Sequence, residues 1–241
     1  MTAAPARDQP IAAPRQLWWA FLPFTAVSAV HIGARFAGAD DLAAPTKLLL
    51  MPLLAAAVLW SARNSSRGPA TALLLAALLF SWLGDGAGTF FPFAPELPVM
   101  LGSFGLAHIF YIWLLTRYAA VRPLPRWALV FPVWWLLMLL TLWPSLGSLA
   151  FAVAAYGVVL AGTAAAAARS LPMVAAGGLL FLSSDTILAL RIFLPDAMPP
   201  WTSAAVMLTY CAGQGLIVAG VLRSPQLRRR RAPRPAGSSV Q

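Results

Sequence analysis

The chain has 241 residues, of which 60% are hydrophobic and only 10% are charged, and its mean hydropathy is +0.77. This composition lies outside the range of soluble domains and indicates a polytopic membrane protein. The formal net charge of +10 comes from 17 basic and 7 acidic residues, but the basic residues lie between apolar segments and in the C-terminal tail. We therefore interpret the charge as a signal of membrane topology and expect no nucleic-acid partner.

Long apolar segments follow one another along the chain. A membrane span needs roughly 20 mostly apolar residues, and clusters of proline, glycine and arginine separate about eight segments of this kind. They run near residues 17–36, 45–62, 70–90, 98–117, 127–143, 146–168, 172–194 and 201–222. We predict an all-α, polytopic integral membrane protein with about eight transmembrane helices in one bundle over residues 17–222. Residues 1–16 are predicted to form a mobile tail, and residues 223–241 a basic, disordered cytoplasmic tail.

The distribution of arginine predicts the orientation of these segments. Arginine concentrates in cytoplasmic loops, and alternate loops of this chain are either rich in arginine or acidic. The arginine-rich side carries Arg7, Arg15, Arg63, Arg67, Arg117, Arg122, Arg126, Arg169, Arg223, the run at 228–231 and Arg234, while the opposite side carries Asp40, Asp41, Glu96 and Asp196. We predict a multi-pass protein of the cell (inner) membrane with both termini in the cytoplasm. The run at 228–231 is expected to contact anionic lipid headgroups.

Two aspartates lie inside apolar segments, where topology does not explain them. A charge at the centre of a bilayer costs roughly 2.5 kcal/mol or more, so such groups usually face the interior of a bundle and act there. At about 1.5 Å per residue, Asp85 lies roughly 22 Å from the cytoplasmic end of the third segment and Asp185 roughly 20 Å from that end of the seventh. The two carboxylates are therefore predicted to lie at one level, in the outer half of the bilayer.

Further polar side chains are predicted to lie near these acids, either by depth along their segments or by sharing a turn with one of them. They are Lys47, which is the only lysine in the chain, Ser81, His108, Ser184, Tyr210 and Gln214. Both acids also follow an LLF triplet, and they are separated by 100 residues on segments of the same direction. This spacing hints at a parallel duplication of four helices.

Two carboxyls at one depth suit acid and base catalysis. Paired acids in different surroundings divide the roles of proton donor and ionised partner, and such a pair suits hydrolysis through an oxocarbenium-like state. Two histidines and one cysteine give no convincing zinc set, and the sequence contains no GxSxG elbow and no phosphate-binding loop. We therefore expect neither a metal nor a cofactor.

Four segments, which in chain order read PTKLLLMPLL, LFSWLGDG, LGSFGLAHIFYIWLL and GGLLFLSSDTILAL, resemble the YhhN-like membrane proteins, the family that includes the animal lysoplasmalogenases. The resemblance covers about residues 45–222. It implies an eight-helix membrane protein that hydrolyses the vinyl ether bond of lysoplasmalogens to a fatty aldehyde and a glycerophospho-alcohol. On this resemblance Asp85 and Asp185 are the motif acids, Lys47 is the motif lysine, and His108 and Tyr111 lie in the motif between the acids.

The chemistry of a vinyl ether agrees with this pair of acids. Protonation of the β-carbon gives an oxocarbenium ion, which water attacks, and the resulting hemiacetal collapses to aldehyde and alcohol. One aspartic acid is expected to donate the proton, while the other, ionised, stabilises the cation and activates water. The residues leave open which acid has which role. Lys47 and Arg191 are candidates for holding the phosphate of the lysophospholipid substrate, although arginine at a helix end is also typical of a side chain that reaches lipid headgroups.

Two other functions stay open on the sequence. A proton-coupled transporter would use the acids to carry protons or to bind a cation, and would need an aqueous path to both faces of the membrane. A non-catalytic lipid-binding or structural membrane protein would use each Asp to accept hydrogen bonds that join two helices. In that structural case the two carboxylates would lie far apart and face different neighbours.

Overall fold

The computed structural model describes residues 14–63 and 68–224. Within these ranges it contains helices and loops and no β-strand, which confirms the predicted all-α class. The eight longest helices are α1 (Pro14–Ala37), α2 (Asp40–Ala62), α3 (Pro69–Asp85), α4 (Glu96–Leu114), α5 (Val130–Leu146), α6 (Ala150–Ala168), α7 (Pro172–Phe193) and α8 (Thr202–Leu222). Short helical turns occupy parts of the connections, at Ala87–Phe90, Leu115–Ala119, Arg126–Leu129, Gly147–Leu149 and Pro195–Ala197.

Six helical segments of the described residues are long and apolar enough to cross a membrane. One of these segments, Arg126–Ala168, contains both α5 and α6, and α3 is an apolar helix shorter than the six. Large apolar side chains on the outer faces, such as Leu137 and Leu140 of α5, are exposed. These features support a membrane protein, and the crossing of all eight helices stays a prediction.

Two predicted boundaries differ from the structure. α2 begins at Asp40 rather than at residue 45, so Asp40 and Asp41 lie in its first turn and not in a loop; acidic side chains at that position interact favourably with the positive end of the helix dipole. α3 ends at Asp85 rather than at residue 90, because Gly86 leaves the helical conformation (φ −100°, ψ 17°) before the separate turn at Ala87–Phe90. Asp85 therefore lies at a helix end.

The predicted tails lie mostly outside the described residues, which begin at 14 and end at 224. The arginines at 7, 67, 228–231 and 234 fall outside them as well. α1 begins at Pro14, inside the segment predicted as a mobile tail, and α8 ends at Leu222 as predicted.

A proline in α2 joins that helix to α3. Pro52 has no backbone N–H, so the carbonyl of Leu48, four residues earlier, loses its helical partner. The indole Nε1 of Trp82 on α3 donates a hydrogen bond of 2.9 Å to this carbonyl. The contact lies close to both Lys47 on α2 and Asp85 on α3, and it fixes one helix relative to the other at their level.

α7 and α8 pack backbone against backbone at Gly177 and Gly213. A Cβ atom at Gly177 would lie 2.8 Å from the carbonyl oxygen of Gly213, and a Cβ atom at Gly213 would lie 2.9 Å from the backbone nitrogen of Phe181. Only residues without a side chain allow helices to approach this closely. The approach brings Asp185 on α7 next to the helix that carries Tyr210.

Candidate functional site

Asp85 is held by an ammonium group and a phenol. The Nζ atom of Lys47 lies 3.7 Å from its Oδ1, and the hydroxyl of Tyr210 donates a 2.8 Å hydrogen bond to its Oδ2. The Asp85 side chain is 3% exposed, and that of Lys47 is 35% exposed. A buried carboxylate is tolerated when it is paired and hydrogen-bonded, and both conditions are met here. We call Asp85, Lys47 and Tyr210 the Asp85 cluster.

A chain of neutral hydrogen bonds extends from this cluster toward the bundle interior. Gln214, one turn beyond Tyr210, donates from its Nε2 to the hydroxyl of Ser81 at 3.1 Å. Its Oε1 accepts a hydrogen bond from the Tyr111 hydroxyl. The side chains of Gln214, Ser81 and Tyr111 are all buried. Both polar atoms of the Gln214 amide have a hydrogen-bond partner. The network joins α3, α4 and α8 next to the Asp85 cluster.

Asp185 is held by a phenol and an imidazole. The hydroxyl of Tyr156 on α6 donates a short hydrogen bond to its Oδ2, and the Nε2 atom of His108 on α4 lies 3.7 Å from the same oxygen. The His108 ring is fixed further by Thr163, whose Oγ1 lies 3.0 Å from Nδ1, and by the Tyr156 hydroxyl at 3.3 Å from Nε2. We call Asp185, Tyr156, His108 and Thr163 the Asp185 cluster.

The ring of Phe181 contacts both clusters. The ring centroid of Phe181 lies 4.8 Å from that of His108 and 5.5 Å from that of Tyr210. The two predicted acids therefore lie in one region of the bundle and not in two separate helix–helix contacts.

The two clusters correspond by helix order. Each acid lies on the third helix of a set of four, α1–α4 or α5–α8. Each contacts the second helix of its own set and the fourth helix of the other set. The contacts within a set are Lys47 on α2 and Tyr156 on α6, and the contacts to the other set are Tyr210 on α8 and His108 on α4. This exchange agrees with a parallel duplication of four helices.

Two narrow clefts reach Asp185, whose side chain is 9% exposed. The first, which we call the α5 cleft, has a volume of about 50 Å³ and lies between α5, α6 and α7, with Trp134, Trp135, Met138 and Gly157 in its walls. The second, the α4 cleft, has a volume of about 40 Å³ and lies between α4, α6 and α7. Its walls include Leu97, Leu101, Phe104 and Phe193. Asp185 and Tyr156 line both clefts.

Ser184 and Arg191 make contacts away from the carboxylates. The hydroxyl of Ser184 donates to the backbone carbonyl of Val206 at 3.1 Å and so joins α7 to α8. The guanidinium of Arg191 donates to the carbonyl of Pro199 and to the hydroxyl of Thr202, which ties the end of α7 to the start of α8. The other predicted side chains lie in the Asp85 cluster, in the hydrogen bonds below it, or in the Asp185 cluster.

Tyr156 and Thr163 were missed by the sequence analysis. Both lie within the apolar stretch FAVAAYGVVLAGTAAAAA, which reads as an ordinary lipid-facing segment. One signal was present, since the chain has only four tyrosines, and a tyrosine inside an apolar helix usually needs a partner for its hydroxyl. Three of the four, Tyr111, Tyr156 and Tyr210, belong to the hydrogen-bonded groups around the two acids.

The comparisons with known proteins give one family. No curated protein and no solved structure matches the chain significantly. The profile of the YhhN family matches residues 42–221, a range that contains both clusters and both clefts and covers most of the 241 residues. It also covers the four motifs on which the resemblance was based. The chain therefore belongs to the YhhN family.

Proposed function

We propose that this protein hydrolyses the vinyl ether bond of lysoplasmalogen-type lysophospholipids and releases a fatty aldehyde and a glycerophospho-alcohol. The observation that carries the proposal is the pair of buried aspartates, each held by a tyrosine hydroxyl and a basic side chain, in two clusters that both contact the ring of Phe181. Two carboxyls in different surroundings are the equipment for hydrolysis through an oxocarbenium ion. The family resemblance implies the same reaction.

The surroundings of the two acids support a division of roles. Asp85 pairs with Lys47 at 3.7 Å, its side chain is only 3% exposed, and it is not among the residues that line the two clefts. Asp185 faces a phenol and an imidazole instead, and it lines both clefts. We assign Asp185 as the proton donor, which touches the substrate, and Asp85 as the ionised partner that stabilises the cation.

The proposed hydrolysis then has three steps. The carboxylic acid of Asp185 gives its proton to the β-carbon of the vinyl ether, and the ether oxygen donates an electron pair to form the oxocarbenium ion. Water attacks the cationic carbon, and the Asp185 carboxylate accepts the proton that the water loses. The hemiacetal collapses by moving its hydroxyl proton to the glycerol oxygen as the carbon–oxygen bond breaks. Tyr156 and His108 position Asp185 throughout.

The position of the site suits a single-chain lipid. Asp185 lies about 12 Å from the end of α7, counted at about 1.5 Å per residue over residues 185–193, so a headgroup at the surface places an ether oxygen near the acid. With the orientation given by the arginines, this is the outer half of the inner membrane. Membrane lipids surround the bundle, and Arg191 at the end of α7 is the candidate contact for the phosphate.

The test is aldehyde release from a 1-alkenyl lysophospholipid by the purified protein. In D₂O the aldehyde, reduced at once to the alcohol, should carry one deuterium on the former β-carbon, because that carbon takes its proton from an exchangeable acid. In ¹⁸O-labelled water the label should appear in the aldehyde and not in the glycerophospho-alcohol. A saturated 1-alkyl analogue serves as the matched control and should give no product.

Three results would count against the proposal. Absence of aldehyde from the wild-type protein would exclude this substrate. Label in the glycerophospho-alcohol would exclude attack on the oxocarbenium carbon. Full turnover in both Asp85→Asn and Asp185→Asn would exclude the two acids from the reaction.

A further inference from the structure

The two clefts that meet at Asp185 differ in their position along the helices. The α4 cleft runs to helix ends, since Leu97 is the second residue of α4 and Phe193 is the last residue of α7. The α5 cleft lies between two packed apolar clusters. On one side of it Phe131, Leu160 and Leu182 pack together, and on the other side Leu142, Leu146 and Ala150 do so. The α5 cleft thus lies along the middle of α5, away from the helix ends and between two apolar clusters.

The α5 cleft has no free polar group apart from those at Asp185. Its two indole N–H groups are already used, because Trp134 donates to Thr186 and Trp135 donates to the carbonyl of Ala154. The remaining wall residues are apolar or glycine. A phosphate or glycerol hydroxyl in this cleft would be buried without partners, at a cost of roughly 2 kcal/mol or more. A hydrocarbon chain has no such cost.

The far wall of the α5 cleft depends on a glycine. A Cβ atom at Gly157 would lie 2.7 Å from Cδ1 of Trp135, so only glycine lets this indole close against α6. Met138, three residues further along α5, lies between Trp135 and Leu142 in the same wall. Methionine is flexible and adapts to irregular apolar neighbours, which suits a narrow cleft that must widen when a chain enters.

We infer that the α5 cleft binds the hydrocarbon chain of a single-chain lipid and selects its length, while the glycerophosphate part lies along the α4 cleft. The inference rests on the proposed function, because it places the bond to be cleaved at Asp185, where the two clefts meet. Four residues line both clefts, namely Val153, Tyr156, Asp185 and Ala189, so a lipid threaded through both clefts passes directly in front of the acid. Met138 is then a residue that determines specificity.

Opposite changes at Met138 test the assignment. The ratio of kcat/KM for short-chain over long-chain alkenyl lysophospholipids should rise about tenfold in Met138→Trp and fall in Met138→Ala, because one or two methylene groups in an apolar pocket change binding by this order. Leu137→Trp is the matched control, since Leu137 is the preceding residue and is 58% exposed on the outer face. Its ratio should equal that of the wild type.

The α4 cleft provides the second arm of the experiment. Leu101→Trp fills that cleft and should lower turnover for all chain lengths by the same factor, leaving the ratio unchanged. The assignment is overturned if folded Met138 variants keep the wild-type ratio, or if Leu101→Trp changes the ratio and the Met138 variants do not. Met138→Ala guards against misfolding of the larger variant, because it only removes atoms from the cleft wall.

A binding measurement separates this inference from the proposed reaction. Saturated 1-alkyl lysophosphocholines of increasing chain length should raise the thermal unfolding temperature in phospholipid nanodiscs, with a preferred length that shifts in the Met138 variants. If this shift occurs while the wild type releases no aldehyde, the cleft assignment holds and the reaction is wrong. If aldehyde is released while the preferred length stays fixed in all variants, the reaction holds and the cleft assignment is wrong.

Discussion

The Asp85 and Asp185 clusters follow one arrangement with two different outcomes. In both, an aspartate on the third helix of a set is held by one side chain of its own set and one of the other. Asp85 is paired with Lys47, and its side chain is 3% exposed. Asp185 receives a phenol and an imidazole and lines both clefts. The two acids thus have different neighbours at corresponding positions of the two sets.

Asp185→Asn should have the largest effect on activity. The amide keeps the shape of the side chain but has no acidic proton, so kcat for aldehyde release should fall by about 10³-fold. Asp196→Asn, at an exposed acid between α7 and α8, is the control and should keep the wild-type rate. A kcat for Asp185→Asn within about tenfold of wild type would be too small a loss for a general acid and would reverse the assigned roles.

Substitution of Lys47 and Asp85, singly and together, tests how the Asp85 cluster differs from the Asp185 cluster. Asp85→Asn should lower kcat by about 10²-fold, because it removes a charge that stabilises the transition state. Lys47→Met should lower the free energy of unfolding by about 3 kcal/mol, since it leaves the buried carboxylate unpaired. The double variant should regain most of that stability, measured by thermal unfolding, without regaining activity. Additive losses of stability would show that the pair is not coupled.

Gly177→Ala should disturb the connection between the clusters. The new Cβ would lie 2.8 Å from the carbonyl oxygen of Gly213, so α7 and α8 must move apart, at a cost of about 1–3 kcal/mol in the free energy of unfolding. Gly102→Ala is a matched control, because a Cβ at that helical position meets no atom within 4 Å. Equal unfolding temperatures for the two variants would contradict the close approach.

Removal of the Tyr156 hydroxyl and removal of the Tyr210 hydroxyl should differ in their effect on kcat. Tyr156→Phe removes the hydrogen bond to Asp185, the proposed proton donor, and should lower kcat about tenfold, with little change in KM. Tyr210→Phe removes the equivalent bond to Asp85, where Lys47 still holds the carboxylate, so its effect on kcat should be smaller. A larger loss in Tyr210→Phe than in Tyr156→Phe would indicate that Asp85 is the acid that touches the substrate.

The smallest effect concerns the link between α2 and α3. Trp82→Phe leaves the Leu48 carbonyl without a donor and should cost about 1 kcal/mol of stability. In a Pro52→Ala background the backbone N–H of residue 52 can bond that carbonyl, so the same Trp82→Phe change should cost less. Thermal unfolding of the four proteins measures the difference, and an equal cost in both backgrounds would show that the indole bond does not compensate for Pro52.

The sequence predicted the helical class, the segments and the meeting of the two acids with Lys47, His108 and Tyr210. These predictions rest on strong local signals, since a polar residue in an apolar helix is conspicuous and depth follows from counting residues. The helix end at Asp85 and the role of Tyr156 depend instead on packing. The helix end follows from a glycine that leaves the helical conformation, and Tyr156 is recognised only when its hydroxyl is seen to reach Asp185 from another helix.

The exchange of partners between the two sets has a consequence for biogenesis. Asp85 is synthesised 125 residues before Tyr210. During most of the insertion of the new chain, the partner available to Asp85 is therefore Lys47, which precedes it. Asp185 emerges only after His108 and Tyr156 are already made. Asp85, whose last partner is made late, thus has Lys47 as an early partner, whereas both partners of Asp185 are made before it.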